Sequence, residues 1–98
     1  ANPVPKLYRH AFLGNFDKTL ILHTSVLAIR EEVLGREHLA TAEALNDLGM
    51  SYWALGQPDK ALPLQIRALA IYEKSAGQDA LTAYARKSLA TTYSALGN

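Results

Sequence analysis

The chain has no cysteine, and only one methionine and one tryptophan, in 98 residues. Without cysteine there is no disulfide framework and no thiolate zinc site, a lack that fits a cytoplasmic protein. An excess of one charge is missing too. Ten Lys and Arg stand against nine Asp and Glu, a formal +1. Attraction to phosphate backbones or anionic membranes usually needs a basic patch, so neither nucleic acid nor a membrane is an expected partner. No apolar run approaches the roughly 20 residues of a bilayer span. The opening "ANPVPKLYRH" lacks the charged-then-apolar layout of a signal peptide.

Reactive constellations are absent as well. There is no nucleophile elbow, no dinucleotide fingerprint, no P-loop and no HExxH pair. His10, His23 and His38 fall on three different helices or helix ends, and no two are four residues apart. Ser25, Ser51, Ser75, Ser88 and Ser94 have no histidine and acid at a recognisable offset. Glu31, Glu32 and Glu37 cluster around Gly35 beside Arg30 and Arg36. That grouping reads as a solvated face rather than acid–base machinery. Neither an enzyme nor a metal or cofactor is expected.

What is present is an ordinary globular composition, 49% hydrophobic and 19% charged, and a repeat. "VLAIREE" (Val26 to Glu32) returns as "ALAIYEK" (Ala68 to Lys74), an offset of 42. "FLGNFDKTL" (Phe12 to Leu20) returns as "ALGQPDKAL" (Ala54 to Leu62) at the same offset, and Gly35 returns as Gly77. A third copy follows at an offset of 41, with Leu48, Tyr52 and Ala54 returning as Leu89, Tyr93 and Ala95. Self-similarity at such a period marks a repeat architecture.

Each unit reads as two helices. Val4 to Leu13 is expected as a short first helix, started late by Pro3 and Pro5. Phe16 to Leu34 is the second, His38 to Leu55 the third, Pro58 to about Ala76 the fourth, and Leu81 to Leu96 the fifth. Gly14, Gly56 and Gly97 mark turns within units, while Gly35 and Gly77 mark turns between them. The units are approximately 4–35, 38–77 and an incomplete 80–98, with antiparallel neighbours because the loops are short.

Within "ALNDLGMSYWALG" (Ala44 to Gly56) one glycine stands inside a helix, at a cost of about 1 kcal/mol relative to alanine. Leu45, Leu48, Tyr52 and Leu55 share its face by helical spacing. On the fourth helix Ala61 and Ala68 lie two turns apart. Small residues on facing helices allow close approach, and the flanking leucines bury enough surface, roughly 1.5–3 kcal/mol each, to offset the glycine. Gly49 therefore reads as a packing residue, with Ala90 in the matching place on the fifth helix.

Leu45, Leu48, Gly49 and Tyr52 resemble the tetratricopeptide pattern W-x2-L-G-x2-Y, with leucine in place of tryptophan. Arg86, Leu89, Ala90 and Tyr93 echo it less closely. The period of 42 exceeds the usual 34 and resembles the kinesin-light-chain type, as do Pro63 within a helix and the linker "EEVLGREHLATAEALNDLG". Gln65, where the family prefers an aromatic, and Glu73, where the shorter repeat has proline, depart from the pattern. In the first unit Thr19 and Val26 replace the two alanines. The resemblance covers about Gly14 to Asn98. It implies an all-α, antiparallel helix-pair α-solenoid of about five helices, stacked as a right-handed superhelix.

The resemblance also implies a protein–protein interaction scaffold that holds a peptide or partner protein in a concave groove lined by the first helices of the units. Positions not used for packing are then Glu43, Asn46, Met50 and Trp53 on the third helix and Tyr84, Lys87, Thr91 and Ser94 on the fifth. Tyr8 and Phe12 are the candidates on the first. Asn46 and Lys87 are the expected grips on ligand main chain or carboxylate, with Met50 and Trp53 giving apolar contact. Leu89, Tyr93 and Leu96 lack the following helix that Leu48, Tyr52 and Leu55 possess. Terminal repeats need a polar cap, so either a longer solenoid or self-association through that edge is expected. The alternative function is a structural or sensor repeat segment of a larger signalling protein, serving assembly more than ligand capture.

Overall fold

A computed structural model describes residues 6–97, with side chains from Asp17 onward. The regular structure of those residues is all α-helix, with no strand: α1 (Lys6–Val33), α2 (Leu39–Ala54), α3 (Pro58–Lys74) and α4 (Asp79–Ala95). Each helix packs against the next through a short loop, and α2 also touches α4. The core lies around α2, where Leu45 and Leu48 meet Leu27 of α1, Ala68, Ile71 and Tyr72 of α3, and Ala85 of α4.

Among the described residues there are four helices, not five. The expected pair Val4–Leu13 and Phe16–Leu34 is one continuous α1, with Gly14 inside it; Val4 lies outside the described residues. The repeat explains the difference. Gly14 and Phe16 correspond, one repeat period on, to Gly56 and Pro58. Pro58 opens α3. Having no N–H, and a ring that collides with the carbonyl four residues back, it forbids α2 from running on. Gly56 then turns the chain with φ +77, and the Gln57 amide closes the helix end on the Tyr52 carbonyl at 2.9 Å. Phe16 keeps its N–H, and a glycine alone costs a helix only about 1 kcal/mol. The helix continues.

The remaining boundaries follow their caps. His38 is the N-cap of α2 rather than its first residue, its Nδ1 accepting from the Ala40 amide at 3.0 Å. The Thr41 hydroxyl donates to the Gly35 carbonyl at 2.7 Å and ties the α1–α2 loop down. Gly49 is buried against α3: a β-carbon there would sit 2.8 Å from Gln65 Cγ and 3.5 Å from the Ala61 carbonyl oxygen. Ala61 and Ala68 are fully buried, as the close-packing argument requires. Ala90, the counterpart of Gly49 on α4, is exposed instead.

The two inter-unit seams are built alike. His23 of α1 is hydrogen-bonded through Nδ1 to Ser51 Oγ of α2 at 2.8 Å. Gln65 and Thr92, their counterparts at offsets of 42 and 41, form the same α3–α4 pair, the Thr92 hydroxyl donating to Gln65 Oε1. The acidic cluster is only partly a solvated face. Glu31 is half-buried and pairs with Arg36 at 2.7 Å and with Arg67 of α3 at 2.8 Å, lacing the first loop to the second unit.

Candidate functional site

Helical spacing puts Asp47, Met50, Ser51, Trp53 and Ala54 toward one side of α2. There they form a cleft of about 360 Å³ with Thr19 and His23 of α1 and Tyr84 of α4. Its wall is apolar at Met50, Trp53, Ala54 and Tyr84 and polar at the α1 side. The His23–Ser51 bond fixes the floor. Met50 is held from behind, where the Gln65 amide donates to its Sδ at 3.6 Å. Trp53 and Tyr84 keep open faces to solvent. The His23–Ser51 pair does set a hydroxyl beside an imidazole, with Asp47 also lining the cleft, which no offset along the sequence reveals; the same place in the next seam holds Gln65 and Thr92, where the amide offers no base. The cleft can hold an apolar side chain and present a carboxylate beside it.

Three expected groove residues, Met50, Trp53 and Tyr84, therefore come together. Asn46, Lys87 and Thr91 do not line the cleft. Asn46 is only 5% exposed, and its Oδ1 is a buried acceptor without a hydrogen-bond partner. Lys87 is exposed, whereas the Thr91 hydroxyl is taken up by the Lys87 carbonyl at 3.0 Å. Of the other positions read from spacing, Glu43 is exposed but bonded to Arg30 at 3.2 Å, and Ser94 is exposed away from the cleft. The side chains of Tyr8 and Phe12 lie outside the described residues. Leu89, Tyr93 and Leu96 are half-buried. The apolar exposure is greater at the opposite end of the molecule, on α1.

Sequence reasoning misses Thr19, His23, Asp47 and Ser51. A signal exists: the His23 and Ser51 positions recur as Gln65 and Thr92, a polar pair repeated across both seams. A second, polar cleft of about 370 Å³ lies where α3 passes into α4, lined by Tyr72, Glu73, Ser75, Asp79, Thr82 and Arg86. The Glu73–Arg86 pair at 3.2 Å bridges it. No group of three or more potential metal ligands forms among the described residues, and no described helix is long and apolar enough to cross a membrane.

Although much of Asp47 is exposed, partial burial pushes its carboxyl above the ordinary range. Charge on His23 pulls it back, Glu43 adds to the rise and Arg30 opposes it. A carboxyl whose folded pKa is raised binds its proton more readily folded than unfolded. It therefore weakens the fold above that pKa, and the weakening is relieved as pH falls through the window between the raised and the ordinary values. Asp47→Asn should remove this penalty. Melting curves from about pH 7 down to about pH 4 should show the variant's stability advantage at neutral pH shrinking on acidification. An advantage constant across the range would mean that Asp47 is not perturbed.

A family model described as tetratricopeptide repeat matches residues 8–74 and, in a second alignment, residues 49–98. No curated protein matches the chain.

Proposed function

We propose, from the premise that this chain belongs to the tetratricopeptide repeat family, that it is a non-catalytic scaffold holding a peptide or partner protein in the α1–α2–α4 cleft. Repeats of this family generally mediate protein–protein interaction, and the period of 42 supports the kinesin-light-chain type. The observation that carries the reading is the convergence of Met50, Trp53 and Tyr84 on one cleft from two successive first-helix positions. Aromatic anchors in a partly desolvated pocket are where binding energy concentrates. The ligand is a segment with one aliphatic or aromatic side chain for that wall and a cationic group near Asp47. Asn46, enclosed outside the cleft, takes no part in this contact. Lys87 supports a carboxylate contact at the outer edge.

Trp53 is the sole tryptophan, so its emission reports occupancy directly. Short peptides selected from a random library against the chain should shift Trp53 fluorescence saturably. Met50→Ala and Tyr84→Ala should each weaken them by about 1–2 kcal/mol, roughly five- to thirtyfold. Selected peptides that bind both variants as tightly as the parent would place the binding surface elsewhere.

A further inference from the structure

α1 carries an apolar stripe that none of the described residues covers. Leu22, Val26, Ile29 and Val33 are 64%, 36%, 60% and 72% exposed, at helical spacings of four, three and four. The repeat shows what belongs there. Moved on by one repeat period, Leu22, Val26 and Ile29 become Leu64, Ala68 and Ile71. Ala68 and Ile71 are buried in the core with Leu45 and Leu48 of α2, and Leu64 packs against that cluster. The matching face in the second unit is thus closed by an α2-type helix, joined to α3 by the Gly56 turn. In the first unit the segment that corresponds to the end of α2, Lys6–Leu13, runs on in line as α1. A straight helix cannot fold onto its own downstream face.

We propose that the stripe is closed by the Lys6–Leu13 arm of a second copy, in a two-fold dimer whose α1 helices cross antiparallel near Gly14. The contacts are those of an α2–α3 hairpin, made between chains instead of within one, which is helix exchange between identical protomers. The register follows from the closed unit. Gly49 lies over Ala61 and Gln65; one repeat period earlier this puts Leu7 of one copy over Thr19 to His23 of the other. Gly14, the counterpart of the turn residue Gly56, sits where the two backbones come closest, and a glycine there admits the approach. Phe16 in place of proline keeps each α1 unbroken, so the arms extend outward instead of folding back. The stripe includes none of the apolar groove residues Met50, Trp53 and Tyr84, although the partner arm would lie over Thr19 and His23 at the α1 edge of the cleft.

The absence of cysteine makes the test clean. The full chain should elute as a dimer by light scattering at micromolar concentration. Phe16→Pro, which restores the residue found at position 58, should convert it to monomer, and so should Ile29→Asp with its helical circular dichroism retained. Copies carrying Leu7→Cys mixed with copies carrying Leu22→Cys should form a disulfide-linked pair that neither gives alone. Three results overturn the proposal: a monomer at every concentration up to the solubility limit, a dimer that survives both Phe16→Pro and Ile29→Asp, or a chain bearing both cysteines that cross-links only within itself. The last would show an arm folded back at Gly14. A monomer that dimerises with nothing but binds a separate amphipathic helix on this stripe would also reject the second copy as occupant. Trp53 emission in the Ile29→Asp variant should still respond to selected peptides, so failure of one reading is distinguishable from failure of the other.

Discussion

Leu45→Ala should destabilise the chain by about 2–5 kcal/mol, while Ile66→Ala should stay within about 0.5 kcal/mol of the parent. Both substitutions remove a large aliphatic side chain, and only position separates them. Leu45 is fully buried on α2, the helix that touches all three others, whereas Ile66 faces solvent on α3. A Leu45 truncation therefore opens a void at the point where α1, α3 and α4 converge, and rigid helices on three sides cannot all relax into it. Total stability for a domain of this size is about 5–15 kcal/mol. A loss of this order lowers Tm by about 10 °C or more. Thermal melts followed by circular dichroism will read it. Similar small losses for the two variants would mean that the helices hold together pairwise, as an array of independent seams, instead of around one central helix.

How far the sequence reveals this fold depends on whether a feature is repeated or occurs once. The in-phase returns expose the helix pairs and the turns at Gly35, Gly56 and Gly77, because each appears in two units and is checked by its copy; the packing role of Gly49 is read from Ala61 and Ala68 opposite it, since its own copy, Ala90, is exposed. The same logic misleads at the first turn. Gly14 inherits the expectation of a turn from Gly56, yet the residue that enforces that turn is Pro58, and Phe16 does not repeat it. A period shows what is alike; the structure at a given place can depend on the one position that differs.

The site is legible in part. Met50, Trp53 and Tyr84 can be found because the family resemblance says which helices line the groove and helical spacing then counts the face that packing leaves over. The α1 wall of the cleft cannot, since Thr19 and His23 lie far from Ser51 along the chain, and no local pattern encodes such a contact. Asn46 is misplaced by spacing for a related reason. Counting puts it on the face of Met50 and Trp53, but it lies deeper in the packed interior, at 5% exposure. Helical periodicity gives direction around an axis and says nothing of depth.

Gln65 departs from the family pattern, and its environment makes the strongest claim about pairwise design. It is fully buried, accepts from the Thr92 hydroxyl and reaches over Gly49. Thr92→Val keeps the shape but removes the donor, leaving Gln65 Oε1 buried and unpaired, a loss of about 1–3 kcal/mol. Gly49→Ala should gain about 1 kcal/mol of helix propensity and lose about 1–3 kcal/mol to overpacking. A β-carbon 2.8 Å from Gln65 Cγ forces that side chain to move, and its bond to Thr92 across the seam resists the movement. The expected net effect in the parent is destabilising. In a Gln65→Ala background the obstruction is gone, so the same Gly49→Ala change should stabilise. Denaturant titration of the four chains in that cycle should show a coupling of about 0.5–3 kcal/mol with a reversal of sign. If Gly49→Ala stabilises in both backgrounds, Gln65 yields freely, and the glycine is not there to make room for it.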